Sequence, residues 1–294
     1  MTHLRKKMLE ERERRNYSAS TVRCYLGVVE DFARYFQQAP DRLGPDQIRS
    51  YQAHLFRDCK LADNTVSQRL AALRFFYLKT LRRSWNLSLT PYPKRARRLP
   101  SILSQEEVAR LIDCADSTFH RMLLMTLYAT GVRRAELVRL QLSDIDSGRM
   151  VVHVRGGKGR KDRDIMLSEQ LLAALRQHWR GLRRKPAEWL FPGGRWHSAD
   201  HPISVNVPWN ACHQAAQRAG IDKPVHPHTL RHCFATHLLE AGADLRTIQL
   251  LLGHYDLEQT ARYLQLSARH LSAVASPLDC LQLTSSAEQD PGTK

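Results

Sequence analysis

Apolar positions recur at helical spacing through the first third of this 294-residue chain. From Ser18 onward, Val22, Tyr25, Leu26, Val29, Phe32, Ala33 and Phe36 fall at the intervals of a helix with one buried face. A second helix is predicted at Gly44-Pro45-Asp46, because proline suits a first helical turn, and it carries Ile48, Tyr51 and Leu55 inward. A third follows an Asp63 or Asn64 cap and aligns Val66, Leu70, Leu73, Phe76, Tyr77 and Leu81. Together they predict a small all-helical domain over residues 1–84. Residues 1–15 are a charged run, either a frayed helix or a disordered arm.

The pattern breaks at residues 84–100, SWNLSLTPYPKRARRLP, whose prolines cannot continue a helix. Lys94, Arg95, Arg97 and Arg98 make residues 85–100 a basic linker, a candidate strap along nucleic-acid phosphates. Ser104 and Glu107 form a capping-box signature ahead of Val108, Leu111 and Ile112. A buried helix, MLLMTLYAT, runs from about Met122 and should stop at Gly131, since glycine favours the left-handed end of a helix. Residues 150–154 and 163–167, MVVHV and RDIML, read as two strands around the turn GGKGRKD. Helices then alternate with loops to Tyr263. The fold class expected is mainly α, with a second, mixed α/β domain holding a small sheet over residues 101–280. Residues 281–294 are polar and expected to be disordered.

Composition adds a partner class. The formal net charge is +16, and residues 1–100 hold 21 Lys and Arg against 9 Asp and Glu. That imbalance points to a polyanion, most simply nucleic acid. The six cysteines form no CxxC pair and mostly sit in apolar helical patterns, as buried reduced thiols would. The N-terminus lacks the apolar stretch of a secretory signal, and no run reaches the ~18 apolar residues of a membrane span. A cytoplasmic, nucleoid-associated protein is expected.

Residues 226–263, HPHTLRHCFATHLLEAGADLRTIQLLLGHYDLEQTARY, hold the densest chemistry. With upstream Arg133 and Lys158, they supply guanidiniums, imidazoles, an ammonium and a phenol, a set suited to a phosphodiester. Two arginines can neutralise non-bridging phosphate oxygens, because a guanidinium is planar, always charged and matches phosphate with two N–H groups. Glu136, three residues after Arg133, can hold that guanidinium at a fixed angle. The histidines lack zinc spacing and there is no HExxH, so no metal and no cofactor are expected. His232 and His237 should pack or cap.

HTLRH, then LLGH, then Tyr263 nine residues after His254, preceded by ATGVRRAEL and GGKGRKDR, resemble the tyrosine recombinases, or phage integrase family, and most closely the Xer-like members. The resemblance spans roughly residues 15–270. It implies an N-terminal SAM-like core-binding domain, a C-terminal catalytic domain, and a site-specific recombinase of the kind carried by mobile elements. Double-stranded DNA would be cut through a 3′-phosphotyrosine and exchanged through a Holliday junction. The assembly would be a homotetramer, or a heterotetramer with a related recombinase. Arg133 and Arg231 match the catalytic arginines, with Arg134 the alternative to Arg133. Lys158 matches the general acid, and the neighbouring Lys161 suits a phosphate contact. His228 would assist proton removal and His254 would donate to a non-bridging oxygen. Tyr263 would be the nucleophile, Tyr255 being the rival hydroxyl. The apolar segment after Tyr263 forms a helix that either docks in a neighbouring protomer or packs on its own domain. A type IB topoisomerase, or a binding-only protein that needs no Tyr263, are the competing classes.

Overall fold

The computed structural model describes residues 3–83, 90–94, 100–156, 162–254 and 256–264. Arg95, Arg97, Arg98, Lys158, Lys161, Tyr255, the expected terminal helix and the tail lie outside the described residues. The chain divides into two compact units, Met1–Arg98 and Leu99–Lys294.

The first unit is helical. The charged N-terminal run forms helix α1 (His3–Arg15), which buries Met8 and pairs Arg5 with Glu30 at 2.9 Å. Helix α2 (Ala19–Phe36) starts where the Ser18 hydroxyl accepts the Thr21 amide, and buries Val22, Val28, Val29 and Phe32. Helix α3 (Pro45–Arg57) opens on its proline and buries Ile48, Tyr51 and Leu55. Helix α4 (Asp63–Phe75) is capped by Ala62, not by Asp63 or Asn64. Asp63 instead occupies the first turn, where a carboxylate favours the positive end of the helix dipole. The helix runs on into a π-helical turn, Phe76–Thr80, and this wider turn puts the consecutive Phe76 and Tyr77 on the buried side. The Tyr77 hydroxyl donates to the Pro40 carbonyl at 2.6 Å. The proline-rich stretch begins as part of this unit. Thr90 is fully buried, Arg74 donates to its carbonyl at 2.7 Å, and the Arg74 guanidinium lies 4.0 Å over the Tyr92 ring.

In the second unit, helix α5 (Gln105–Asp113) starts with the reciprocal capping box. The Ser104 amide donates to Glu107 and the Glu107 amide to the Ser104 hydroxyl. Helix α6 (Thr118–Thr130) buries Leu123, Leu124 and Leu127 completely and forms the axis of the core. It ends at Gly131 with φ +58, and a Cβ there would fall 2.3 Å from the Phe234 ring. Glycine is therefore required twice, by the left-handed turn and by the close approach of Phe234. Helix α7 (Arg134–Leu137) leads to an antiparallel three-stranded sheet, β1 (Ile145–Asp146), β2 (Val151–Val154) and β3 (Arg163–Met166), with Val152 opposite Ile165. The two-residue β1 is too short to leave an alternating signal. Helices α8 (Glu169–Gly181), α9 (Val207–Arg218) and α10 (Pro227–Glu240) pack around α6, and α11 (Leu245–Leu252) and α12 (Glu258–Ala261) follow. A smaller core joins Phe234, Ala235, Leu239, Ile248, Leu252 and Tyr263.

The described cysteines are unpaired. Cys212 and Cys233 are buried and Cys24 and Cys114 half-buried, but Cys59 is exposed, because it follows the end of α3 instead of sitting on its buried face. Among the described residues, no helix is long and apolar enough to cross a membrane.

Candidate active site

The site is organised by the end of α11. The last carbonyls of a helix have no partner within it and carry its negative partial charge. Three arginines from distant elements donate to three successive carbonyls there. Arg163 Nε reaches Leu251 at 2.8 Å, Arg231 Nη2 reaches Leu252, and Arg133 Nη2 reaches Gly253 at 3.1 Å. Gly253 makes the turn possible with φ +62, and a Cβ there would meet the Arg163 side chain at 3.0 Å. Arg231 is only 3% exposed, and its Nη1 donates to the Gly131 carbonyl at the end of α6 at 2.6 Å. One guanidinium thus joins two helix C-termini. Burial, then the charge of Arg133, lowers Arg231 to about 9, which leaves it a cation at neutral pH.

Glu136 sits inside this cluster. Arg133 is the residue that caps α7, so Glu136 is not its neighbour on one helical face but reaches back to it from the first turn. Glu136 Oε1 accepts Arg133 Nη1 at 2.7 Å and Arg163 Nη1 at 3.1 Å. Its Oε2 accepts the Arg133 backbone amide at 2.8 Å and Arg163 Nη2 at 2.7 Å. Burial pushes the carboxyl up, but the hydrogen bonds and charge of Arg163, then those of Arg133, outweigh it and hold Glu136 at about 2.

Tyr263 lies in the smaller core, 1% exposed. Its hydroxyl is 3.0 Å from His232 Nδ1, and its ring is parallel to His254 with centroids 6.4 Å apart. Burial raises the phenol above the usual tyrosine range, against the pull of Arg231, Arg262 and Arg133. His254 Nδ1 lies 2.9 Å from the Thr260 hydroxyl on α12. Burial, then Arg231 and Arg133, lowers His254 to about 3. His228 keeps solvent access on the first turn of α10. Even so, the protein packed around its ring, then Arg231, His226 and Arg133, lowers it.

The structure therefore gathers Arg133, Glu136, Arg231, His254 and Tyr263, and places His228 on the helix that carries Arg231. It also corrects one expectation and adds one residue. His232 does not simply pack or cap, since it is the hydrogen-bond partner of Tyr263. Arg163, which the sequence reading left out, bridges Glu136 and α11 with its side chain only 9% exposed. Strand alternation was the available signal, because Arg163 shares a face of β3 with the fully buried Ile165. His237 is buried between the Tyr128 hydroxyl and the Leu103 carbonyl. Lys94 is exposed on the first unit. Among the described residues, no group of three or more His, Cys, Asp and Glu could hold a metal ion.

A SAM-like helical unit followed by a mainly helical unit with a small sheet is the architecture of the tyrosine recombinases, enzymes of site-specific DNA recombination. The phage integrase family model matches residues 101–270, and the model of its N-terminal SAM-like domain matches residues 4–87. A Sinorhizobium fredii protein named as an integrase/recombinase is 49% identical over 96% of this chain and 90% of its own length. Tyrosine recombinase XerA of Thermococcus kodakarensis is 35% identical over 86% of this chain and 87% of its own. The crystal structure of a XerA recombinase aligns with TM-score 0.53 at 30% identity, covering 92% of this chain and 95% of that one. A lambda integrase dimer bound to a core site shares the fold at TM-score 0.71 and 17% identity, covering 87% and 95%. The chain belongs to the phage integrase family and is a tyrosine-type site-specific recombinase.

Proposed function

We propose that the arginine cluster at the end of α11 holds the scissile phosphate of duplex DNA, and that Tyr263 attacks it. The observation that carries this reading is the convergence of Arg133, Arg231, His254 and Tyr263 around one helix C-terminus. Arg133 and Arg231 neutralise the non-bridging oxygens, and His254 and His228 add hydrogen bonds to them. The Tyr263 hydroxyl gives its proton to the neutral imidazole of His228, and its oxygen forms a bond to phosphorus as the bond to the 5′-oxygen breaks, leaving a 3′-phosphotyrosine. Lys158, between β2 and β3 in the sequence, gives its proton to the departing oxygen. The energy of the cut bond stays in the phosphotyrosine, so a 5′-hydroxyl can attack it and rejoin DNA without ATP.

In this reading the first unit is a core-binding domain. Lys94, Arg95, Arg97 and Arg98 follow the phosphate backbone, as does Lys161, and the excess of cations in residues 1–100 supplies sequence-independent grip. Four protomers on two sites exchange strands through a Holliday junction. A XerH recombinase bound to its difH substrate and the lambda integrase bound to a core site share this fold, which supports duplex DNA as the partner.

The test uses a nicked suicide DNA substrate drawn from the sequence flanking the gene, without added metal or ATP. The wild-type chain should give a denaturant-resistant protein–DNA adduct, and Tyr263→Phe should bind the same DNA and give none. An adduct that survives Tyr263→Phe, or cutting that EDTA abolishes, refutes the reading.

A further inference from the structure

Glu136 is contested by two arginines, and the geometry decides between them. A carboxylate has two oxygens and fits one guanidinium fork side-on. Arg163 holds that position, with Nη1 on Oε1 at 3.1 Å and Nη2 on Oε2 at 2.7 Å. Arg133 places only Nη1 on the carboxylate, and its Nη2 goes to the Gly253 carbonyl. Glu136 thus orients Arg133 through one guanidinium nitrogen and the backbone amide without pairing its whole fork.

We propose that Arg163 is a positioning residue for the strand-transfer reaction: by occupying both oxygens of Glu136, it keeps that carboxylate from closing on Arg133 and leaves Arg133 open toward phosphate. The inference rests on the reading that Arg133 and Arg231 bind the scissile phosphate. Charge supports it. Arg133 and Arg163 pair with the single carboxylate of Glu136, whose charge Arg231 also feels, an excess of two positive charges. A phosphodiester carries one negative charge, and attack by a phenolate brings a second into the transition state. An excess of two therefore favours the transition state over the bound ground state. Without Arg163 the excess falls to one, and Oε2 becomes open to the Arg133 fork. Arg163 also bonds the Leu251 carbonyl at 2.8 Å, so it ties β3 to the helix end that holds the other two arginines.

The test compares single-turnover cleavage of the suicide substrate by wild type, Arg163→Gln, Arg163→Lys, Glu136→Gln and the double variant R163Q/E136Q. DNA affinity and urea midpoints are measured alongside. R163Q should cleave about ten- to a hundredfold slower at saturating DNA, with affinity within about threefold of wild type. R163K, which keeps the charge but not the fork, should fall between them. The decisive result is rescue. Removing the carboxylate's charge frees Arg133, so R163Q/E136Q should cleave about tenfold faster than R163Q, although it lacks one more native contact. A residue that only supports the fold predicts a further loss instead. Should R163Q be too unstable to assay, R163K and R163K/E136Q give the same comparison. Unimpaired cleavage by R163Q, or a double variant no faster than its parent, overturns the inference alone. No adduct from wild type overturns the phosphotyrosine reading as well.

Discussion

Replacing Glu136 with glutamine should give a stability loss with a defined pH signature. Glutamine has the shape of the protonated carboxyl, so the comparison isolates the charge. The carboxyl moves from its ordinary 4.5 to about 2 on folding, held by Arg163 and Arg133 against burial. At ~1.4 kcal/mol per tenfold change in proton affinity, this is about 3 kcal/mol of stability at pH 7. The side chain is 8% exposed, so solvent screens little of it. The folded value is depressed, so the contribution is complete above the unfolded value of 4.5 and is lost as pH falls through about 2. The two-state expression leaves roughly 1 kcal/mol at pH 3, under half of the neutral value. His232 and His254, lowered to about 4 and about 3, also weaken the fold in acid, because the unfolded chain takes up protons first. They act equally in both proteins and cancel in the difference. Urea unfolding followed by far-UV circular dichroism at pH 7, 5, 4 and 3 measures that difference. A gap under about 1 kcal/mol at pH 7, or one that stays flat down to pH 3, would refute the account of Glu136 as an ionised, doubly held carboxylate.

Three further substitutions probe the scaffold. Gly131→Ala forces a Cβ against Phe234 at 2.3 Å and a side chain onto φ +58, and should cost about 1–3 kcal/mol; a shift in the thermal midpoint too small to measure would contradict this. Ser104→Ala removes one half of the α5 capping box and should cost about 1 kcal/mol in urea unfolding, against no loss if the box is ornamental. His232→Ala leaves the buried Tyr263 hydroxyl without its partner and should cost about 1–3 kcal/mol, whereas an unchanged urea midpoint would mean that the hydroxyl finds another acceptor.

The helices of the first unit were legible because each turns a run of large apolar residues to one side. Ile48, Tyr51 and Leu55, and then Val66, Leu70 and Leu73, fall where the 3.6-residue period puts them. The Ser104–Glu107 box and the Gly131 stop were legible because each depends on residues within three positions of the helix end. The site residues were legible only as a resemblance. Residue type and spacing could nominate Arg133, Arg231, His254 and Tyr263, but could not show that the two arginines share an anchor in the backbone at the end of α11. Carbonyl oxygens have no letter in a sequence. Arg163 is legible only as a buried-face position of its strand, because its partners, Glu136 and the Leu251 carbonyl, lie 27 and 88 residues away. His232 was assigned to packing because its helix face is apolar, and its contact with Tyr263 exists only once α12 folds back.

On the proposed reaction, the proton of Tyr263 is the last step to account for. Its present partner cannot take it. The phenol is raised above its ordinary range while His232 is lowered to about 4, so both shifts oppose proton transfer between them. His232 holds the hydroxyl; it does not activate it. The first cause of the raised value is burial, and the opposing pulls come from Arg231, Arg262 and Arg133. A displacement that takes the ring out of the small core removes the first cause and leaves the second. The same guanidiniums that neutralise the phosphate would then favour the phenolate that attacks it. That displacement has a natural location. Tyr263 follows the four-residue α12, which is tied to the site through Thr260 and His254 at 2.9 Å. So short a helix has few bonds of its own to resist moving. In the proposed reaction, a displacement of α12 would move Tyr263 and the Thr260 contact of His254 together.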